Sequence, residues 1–160
     1  MYTRILVPLD GSATARHALD HAAALARLTG APLVLLHVVE ELDHCSGFEP
    51  ATVYVRDVEP AFLAAGQALL DQAADGLRLG GLAVETVLIE CKGQSVAARI
   101  VEQAAATRCD IVVMGTHGRR GLGRVLIGSD AEQVARLAPV PVLLVRQSHA
   151  AGTTPAQQAG

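Results

Sequence analysis

The chain has 160 residues and a formal net charge of −3, from 13 Lys and Arg against 16 Asp and Glu. That length can bury a full core in one domain without a disulfide or metal staple, and 51% hydrophobic against 18% charged residues excludes a disordered protein. Aromatic residues make up only 2% while alanine reaches 28 copies, so small aliphatic side chains must build the core, and a mildly acidic chain short of stacking rings argues against nucleic-acid binding.

One Arg precedes the first apolar run, Ile5–Leu9, and Asp10 interrupts it. The run is too short for a signal-peptide core, and no segment approaches the ~20 apolar residues of a membrane span. The expectation is a cytoplasmic protein with no membrane attachment. Ser12 is placed to cap a helix over Ala13–Leu28, stopped by Gly30 and Pro32. The second run, Leu33–Val39, leads into an acidic connection, Glu40–Asp57, that is long for an α/β unit. Pro60 suits the first turn of a helix running to about Leu79 and ended by Gly80-Gly81. The run Val84–Ile89 follows, then a helix over Ser95–Thr107, the run Ile111–Met114, a glycine-rich loop, a helix over Ser129–Ala138 stopped by Pro139, and the run Val140–Val145.

The apolar runs are rich in β-branched residues and mostly lack two-residue alternation, as strands covered on both faces do. Five such runs separated by four helices predict an α/β fold, a single-domain doubly wound parallel sheet of five strands with helices on both faces. Residues 1–146 form this domain, and the polar, small-residue stretch 147–160 reads as a disordered tail. Cys45, Cys91 and Cys109 are widely separated and make no CxxC pair, which excludes a zinc ribbon or a thioredoxin motif and predicts reduced thiols.

In open parallel sheets ligands bind beyond the carboxyl ends of the strands, so the loops after the first and fourth strands are the places to search. The first reads Pro8-Leu9-Asp10-Gly11-Ser12. The other, from Gly115 to Ser129, carries five glycines and Arg119, Arg120 and Arg124 and ends on a helix N-terminus. Backbone N–H groups that approach closely, a helix dipole and three guanidinium groups make an anion site. A Walker A loop is excluded because Ser129 stands where its lysine belongs, and a GxGxxG fingerprint fails because Leu126 replaces the third glycine.

The spacing that fits is Gly-x2-Gly-x9-Gly-Ser over Gly115, Gly118, Gly128 and Ser129. Together with Pro8-x-Asp10-x-Ser12, His37-Val38, Val113-Met114-Gly115-Thr116-His117-Gly118 and Pro139-Val140-Pro141-Val142-Leu143-Leu144-Val145, it resembles the universal stress protein family, in its ATP-binding branch, over about residues 2–146. The resemblance implies strand order 3-2-1-4-5, which agrees with placing Asp10 and Gly115 at one site, since strands 1 and 4 must then be neighbours. It further implies that Pro8 and its loop belong to a nucleotide site in which Asp10 meets the ribose hydroxyls. Leu9 and Val38 would meet adenine, partly through backbone groups, and Met114 and Gly115 would line ribose and base. Gly118, Gly128 and Ser129 would meet phosphates. The implied cofactor is ATP or AMP, with Mg²⁺ accompanying a triphosphate, and the implied assembly is a homodimer joined along Val140–Val145.

Other readings stand beside these. Asp10 at a strand end also suits a turn-organising role. Ser129-Asp130-Ala131-Glu132 reads as a capping box that would let the helix satisfy its own N–H groups, and Asp130 would repel a triphosphate. His17 and His21 stand four residues apart but lack the glutamate of HExxH, so a surface face is expected there. His37 is expected to be a satisfied core or rim histidine. Three functions follow: a regulatory protein that binds an adenine nucleotide in the stress response, a nucleotide-free dimeric interaction module on the same fold, and a slow ATPase. No nucleophile–base pair is legible, and the loop after the first strand lacks the Ser-Gly-Gly-x-Asp-Ser of adenylating relatives, so the regulatory reading is preferred to an enzyme.

Overall fold

The computed structural model describes residues 1–40, 59–117 and 127–146. Most of the 40–57 connection, Cys45, Gly118, the three loop arginines and the 147–160 stretch lie outside these described residues. The elements are β1 (Ile5–Pro8), α1 (Ala13–Thr29), β2 (Leu33–Val39), α2 (Glu59–Leu79), β3 (Val84–Glu90), α3 (Val96–Ala106), β4 (Ile111–Gly115), α4 (Ser129–Leu137) and β5 (Val142–Val145). They form the expected α/β fold, a five-stranded parallel sheet of order β3-β2-β1-β4-β5.

Local signals explain most boundaries. The Ser12 hydroxyl accepts the Ala15 N–H and caps α1, and Gly30, at φ 75°, closes it with its N–H on the Ala26 carbonyl. Ser95 caps α3 in the same way through Ala98 N–H. The last strand is shorter than its apolar run because Pro141 lies just before it. Without an N–H of its own, Pro141 contributes only its carbonyl, which accepts Val112 N–H.

Side-chain alternation divides the core into two layers. Ile5, Val7, Leu33, Leu35, Ile111 and Val113 point to one face, where α1 covers them with Ala15, Ala18, Ala22 and Ala26 and α2 with Leu70 and Ala74. Leu6, Val34, Leu36, Val112 and Met114 point to the other, against Ala97, Ile100 and Ala104 of α3 and Ala131 and Val134 of α4. The alanines bring helix backbones close to the sheet, so the excess of alanine and scarcity of rings is the composition of a flat, doubly covered core.

The amino-terminal end of the sheet is closed by Asp110, whose carboxylate accepts the N–H and hydroxyl of Thr3 and the N–H of Arg4, tying the starts of β1 and β4 together. Desolvation pushes its pKa up, but these hydrogen bonds outweigh it and hold the carboxyl below the ordinary carboxylate value. Arg4 reaches on to pair with Glu85 of β3. Beside this clamp, burial pushes the Cys109 thiol up, against the Thr107 hydroxyl 3.2 Å from its sulfur. Both lie at the end of the sheet opposite the candidate site.

A cleft at the switch point of the sheet

The strand order reverses between β1 and β4, where the chain leaves β1 toward β2 on one side and β4 toward β5 on the other. A cavity of about 270 Å³ opens there at the carboxyl ends of the strands. It is lined by Pro8, Leu9 and Asp10 at and after the end of β1, Leu36, Val38 and Glu40 of β2 and its end, Met114 to His117 at and after the end of β4, and Gly128 to Ala131 at the start of α4. Val96 and Ile100, one turn apart on α3, make the outer wall. Of the nine residues expected at a binding site, eight are described, and all eight line this cavity: Pro8, Leu9, Asp10, Val38, Met114, Gly115, Gly128 and Ser129. Gly118 lies outside the described residues.

Specific contacts hold Asp10, Leu9, Gly115 and Gly128 in place. Gly11, at φ 83°, turns the chain out of β1, and the Asp10 carboxylate accepts Ser12 N–H at 2.9 Å across the turn. Asp10 therefore organises the entry to α1 and also lines the cavity. The Leu9 N–H donates to the Leu36 carbonyl at 2.7 Å and its carbonyl accepts a hydrogen bond from His37, so its backbone is held by β2 while Leu9 lines the cavity. His37 is buried and satisfied, as expected.

The glycines also have packing reasons. A methyl group on Gly115 would lie 2.8 Å from Thr14 Cγ2 and 3.0 Å from the Thr14 carbonyl carbon, so glycine lets the first turn of α1 sit against the end of β4. One on Gly128 would lie 3.2 Å from the Thr116 carbonyl oxygen, which accepts Gly128 N–H at 2.7 Å.

The capping box is corrected here. Gly128, with extended dihedrals, is the N-cap of α4 and as a glycine has no side chain to cap it with. Ser129 is the first helical residue, because the Gly128–Thr116 hydrogen bond fixes where the chain enters the helix. Its exposed hydroxyl stands at the cavity edge beside Asp130, and Asp130 and Glu132 place two carboxylates in the first turn.

Several lining residues were not singled out from the sequence, Val96, Ile100 and Thr116 among them. Val96 and Ile100 carry a helical four-residue spacing that identifies a core face but not a cavity. Thr116 is buried at the rim, with its N–H on the Val145 carbonyl and its hydroxyl 3.0 Å from His117 Nδ1, so β5 and the loop after β4 are linked through it.

Leu9, Leu36, Val38, Val96, Ile100 and Met114 give the cavity an apolar lining, and Asp10 and Ser129 add polar groups to it. This combination fits a planar heterocycle carrying a hydroxylated, anionic substituent. Among the described residues no group of three or more His, Cys, Asp or Glu side chains could hold a metal ion. No helix among them is long and apolar enough to cross a membrane.

An open doubly wound sheet with a cleft at its switch point defines a Rossmann-like α/β domain. Residues 1–146 match the family profile described as the universal stress protein family, and the chain belongs to that family. It is 34% identical over 150 residues to a Thermus aquaticus protein named as the universal stress protein in the QAH/OAS sulfhydrylase 3′ region, covering 91% of this chain and all of that one. The solved structure of protein MJ0577, a universal stress protein of Methanocaldococcus jannaschii, superposes with a TM-score of 0.80 at 28% identity, covering 93% of this chain and 99% of that one. A universal stress protein crystallised in complex with cAMP superposes with a TM-score of 0.65 at 25% identity, covering 92% and 99%.

Proposed function

We propose that this chain is a regulatory protein of the stress response that binds an adenine nucleotide, ATP or AMP, in the cleft between β1 and β4, and that it does so in the cytoplasm as a homodimer joined through Val140–Val145. The observation that carries the reading is the convergence of the eight residues on one cavity with an apolar lining and polar groups. The related structure holding cAMP supports an adenine ring as the group for the apolar lining. In the proposed pose the base lies between Leu9, Val38 and Met114, the ribose hydroxyls meet Asp10, and the phosphate passes over Gly128, whose own N–H is taken by the Thr116 carbonyl, to face the N–H and hydroxyl of Ser129 at the start of α4. Gly118 would extend the phosphate end, and a bound triphosphate would bring Mg²⁺ with it. Residues 1–146 are proposed as the nucleotide-binding domain, with 147–160 as a tail, and the role is binding rather than catalysis.

A second reading rests on Asp130 and Glu132 in the first turn of α4. Two carboxylates there oppose an added polyphosphate, which favours AMP over ATP or, in the limit, a nucleotide-free interaction module. Calorimetric titration with ATP, ADP and AMP, each with and without Mg²⁺ and with GTP as control, decides. Micromolar binding of an adenine nucleotide and none of GTP is expected. Absence of heat with all of them would refute nucleotide binding and leave the interaction module.

A further inference from the structure

The Leu9 carbonyl is the last backbone group before Asp10, and it is held from behind the sheet. His37 Nδ1 lies 2.6 Å from it, across 28 residues of sequence. A carbonyl only accepts, so Nδ1 carries the proton, which fixes the tautomer of this ring. His37 itself does not line the cavity. It follows Leu33 and Leu35 along β2 by the two-residue alternation of a strand, so its ring is on the side of the sheet covered by α1 and α2, whereas Leu36 and Val38 face the cleft. Leu9 is thus gripped twice by β2, by the Leu36 carbonyl at its N–H and by the His37 ring at its carbonyl. The first bond holds the Pro8–Leu9 peptide and the second, from His37, orients the Leu9–Asp10 peptide that leads into Asp10.

The ring has its place because α2 carries no side chain where it passes. A Cβ on Gly66 would stand 2.6 Å from His37 Cδ2, 3.2 Å from Nε2 and 2.9 Å from Leu88 Cδ1. At 9% exposure the ring has little open space to retreat into, so a methyl group there must displace it or push α2 off β2 and β3.

We propose that His37 is a positioning residue for the cleft, orienting the Leu9–Asp10 peptide through the Leu9 carbonyl, and that Gly66 is its partner on α2, keeping the room in which that hydrogen bond forms. This rests on the nucleotide-site reading above, since the Leu9 side chain and the Asp10 carboxylate are the groups it places against base and ribose. It makes binding in the cleft sensitive to a helix that contributes nothing to the cavity wall.

The test is calorimetric titration of AMP and ATP into the wild type, His37→Asn, His37→Leu, Gly66→Ala and the double variant Gly66→Ala/His37→Asn, with a thermal melt of each. Asparagine places an amide N–H where the imidazole has Nδ1, whereas leucine fills space without a donor. His37→Leu should lose about tenfold in affinity by leaving a buried acceptor unmet, and His37→Asn should stay within about threefold of the wild type. Gly66→Ala should also lose about tenfold in the wild-type background but clearly less in the His37→Asn background, because asparagine lacks the Cδ2 and Nε2 atoms the new methyl would strike and only the contact with Leu88 Cδ1, the end of a flexible side chain, remains. Nitrogen-15 NMR of the wild type should show His37 protonated at Nδ1 and not at Nε2 when neutral. Binding by His37→Leu equal to wild type, an equal Gly66→Ala penalty in both backgrounds, or an Nε2–H tautomer would overturn the positioning role. Should His37→Leu not fold, the tautomer and the Gly66 pair decide alone. A wild type that binds neither nucleotide overturns the site reading and the positioning role with it, whereas a wild type that binds as tightly as His37→Leu overturns the positioning role alone.

Discussion

Gly115→Ala puts one methyl group into the contact that fastens α1 to the end of β4. Its Cβ would lie 2.8 Å from Thr14 Cγ2, 3.0 Å from the Thr14 carbonyl carbon and 3.1 Å from Thr14 Cβ, where ordinary contacts begin at 3.4 Å. The shortfall is therefore 0.6, 0.4 and 0.3 Å, by subtraction from that limit. A rotation of the threonine side chain can relieve only the first, because the other two atoms belong to the backbone and to the carbon attached to it. The strand end and the first turn of α1 must separate, and overpacking of this kind costs about 1–3 kcal/mol. For a domain of this size that lowers the melting temperature by about 3–10 °C. Adding Thr14→Ala to Gly115→Ala removes Cγ2 and leaves the other two contacts, so it should restore only part of the loss. Thermal unfolding followed by circular dichroism reads all three proteins. A Gly115→Ala melting temperature equal to or above the wild type would refute the argument that packing, and not ligand approach alone, requires glycine at this position.

Asp10 has two jobs that substitution separates. Asp10→Asn keeps an oxygen for Ser12 N–H and should weaken adenine-nucleotide binding a few-fold without lowering the melting temperature, while Asp10→Ala should weaken it by about 1–3 kcal/mol and destabilise the turn as well; calorimetry and melts on both variants check this. The Asp110 clamp predicts a pH dependence. Its folded pKa is depressed, so its contribution is fully present above the unfolded carboxylate value and is lost as pH falls through the folded one. Urea titrations should therefore show the wild type more stable than Asp110→Asn at pH 7 by a margin that shrinks in strong acid, and a margin independent of pH would contradict the clamp. The proposed dimer is best tested at Leu143, which is 42% exposed, because Val142 and Leu144 pack against the second core layer. Leu143→Glu should sediment as a folded monomer; a dimer of unchanged affinity would place the interface elsewhere.

The sheet was legible because each strand announces itself by a β-branched apolar run and each described helix by a residue that starts or stops it: Ser12, Gly30, Ser95, Gly80-Gly81, Pro139. The site was legible because the switch-point rule converts strand order into a location, and the described glycine-motif residues fell there. Register was the harder quantity. Runs buried on both faces lack alternation, so nothing in the sequence says that Pro8 stands opposite Leu36 and hence that Leu9 comes level with His37. The grip of His37 on Leu9, and the need for Gly66 beside it, are consequences of that register and appear only in three dimensions. The start of α4 failed for a related reason. Gly128 and Ser129 are both acceptable caps by residue type, and the choice was made by a hydrogen bond to Thr116, twelve residues earlier.

The most direct test of the central claim is NMR mapping of backbone amide shifts on adding AMP. Leu9, Asp10, Val38, Met114, Gly115, Gly128 and Ser129 should move together and saturably, while Thr3, Arg4 and Asp110 at the far end of the sheet stay still. Saturable shifts confined to any other part of the chain, or none at these seven residues, would contradict an adenine-nucleotide site between β1 and β4.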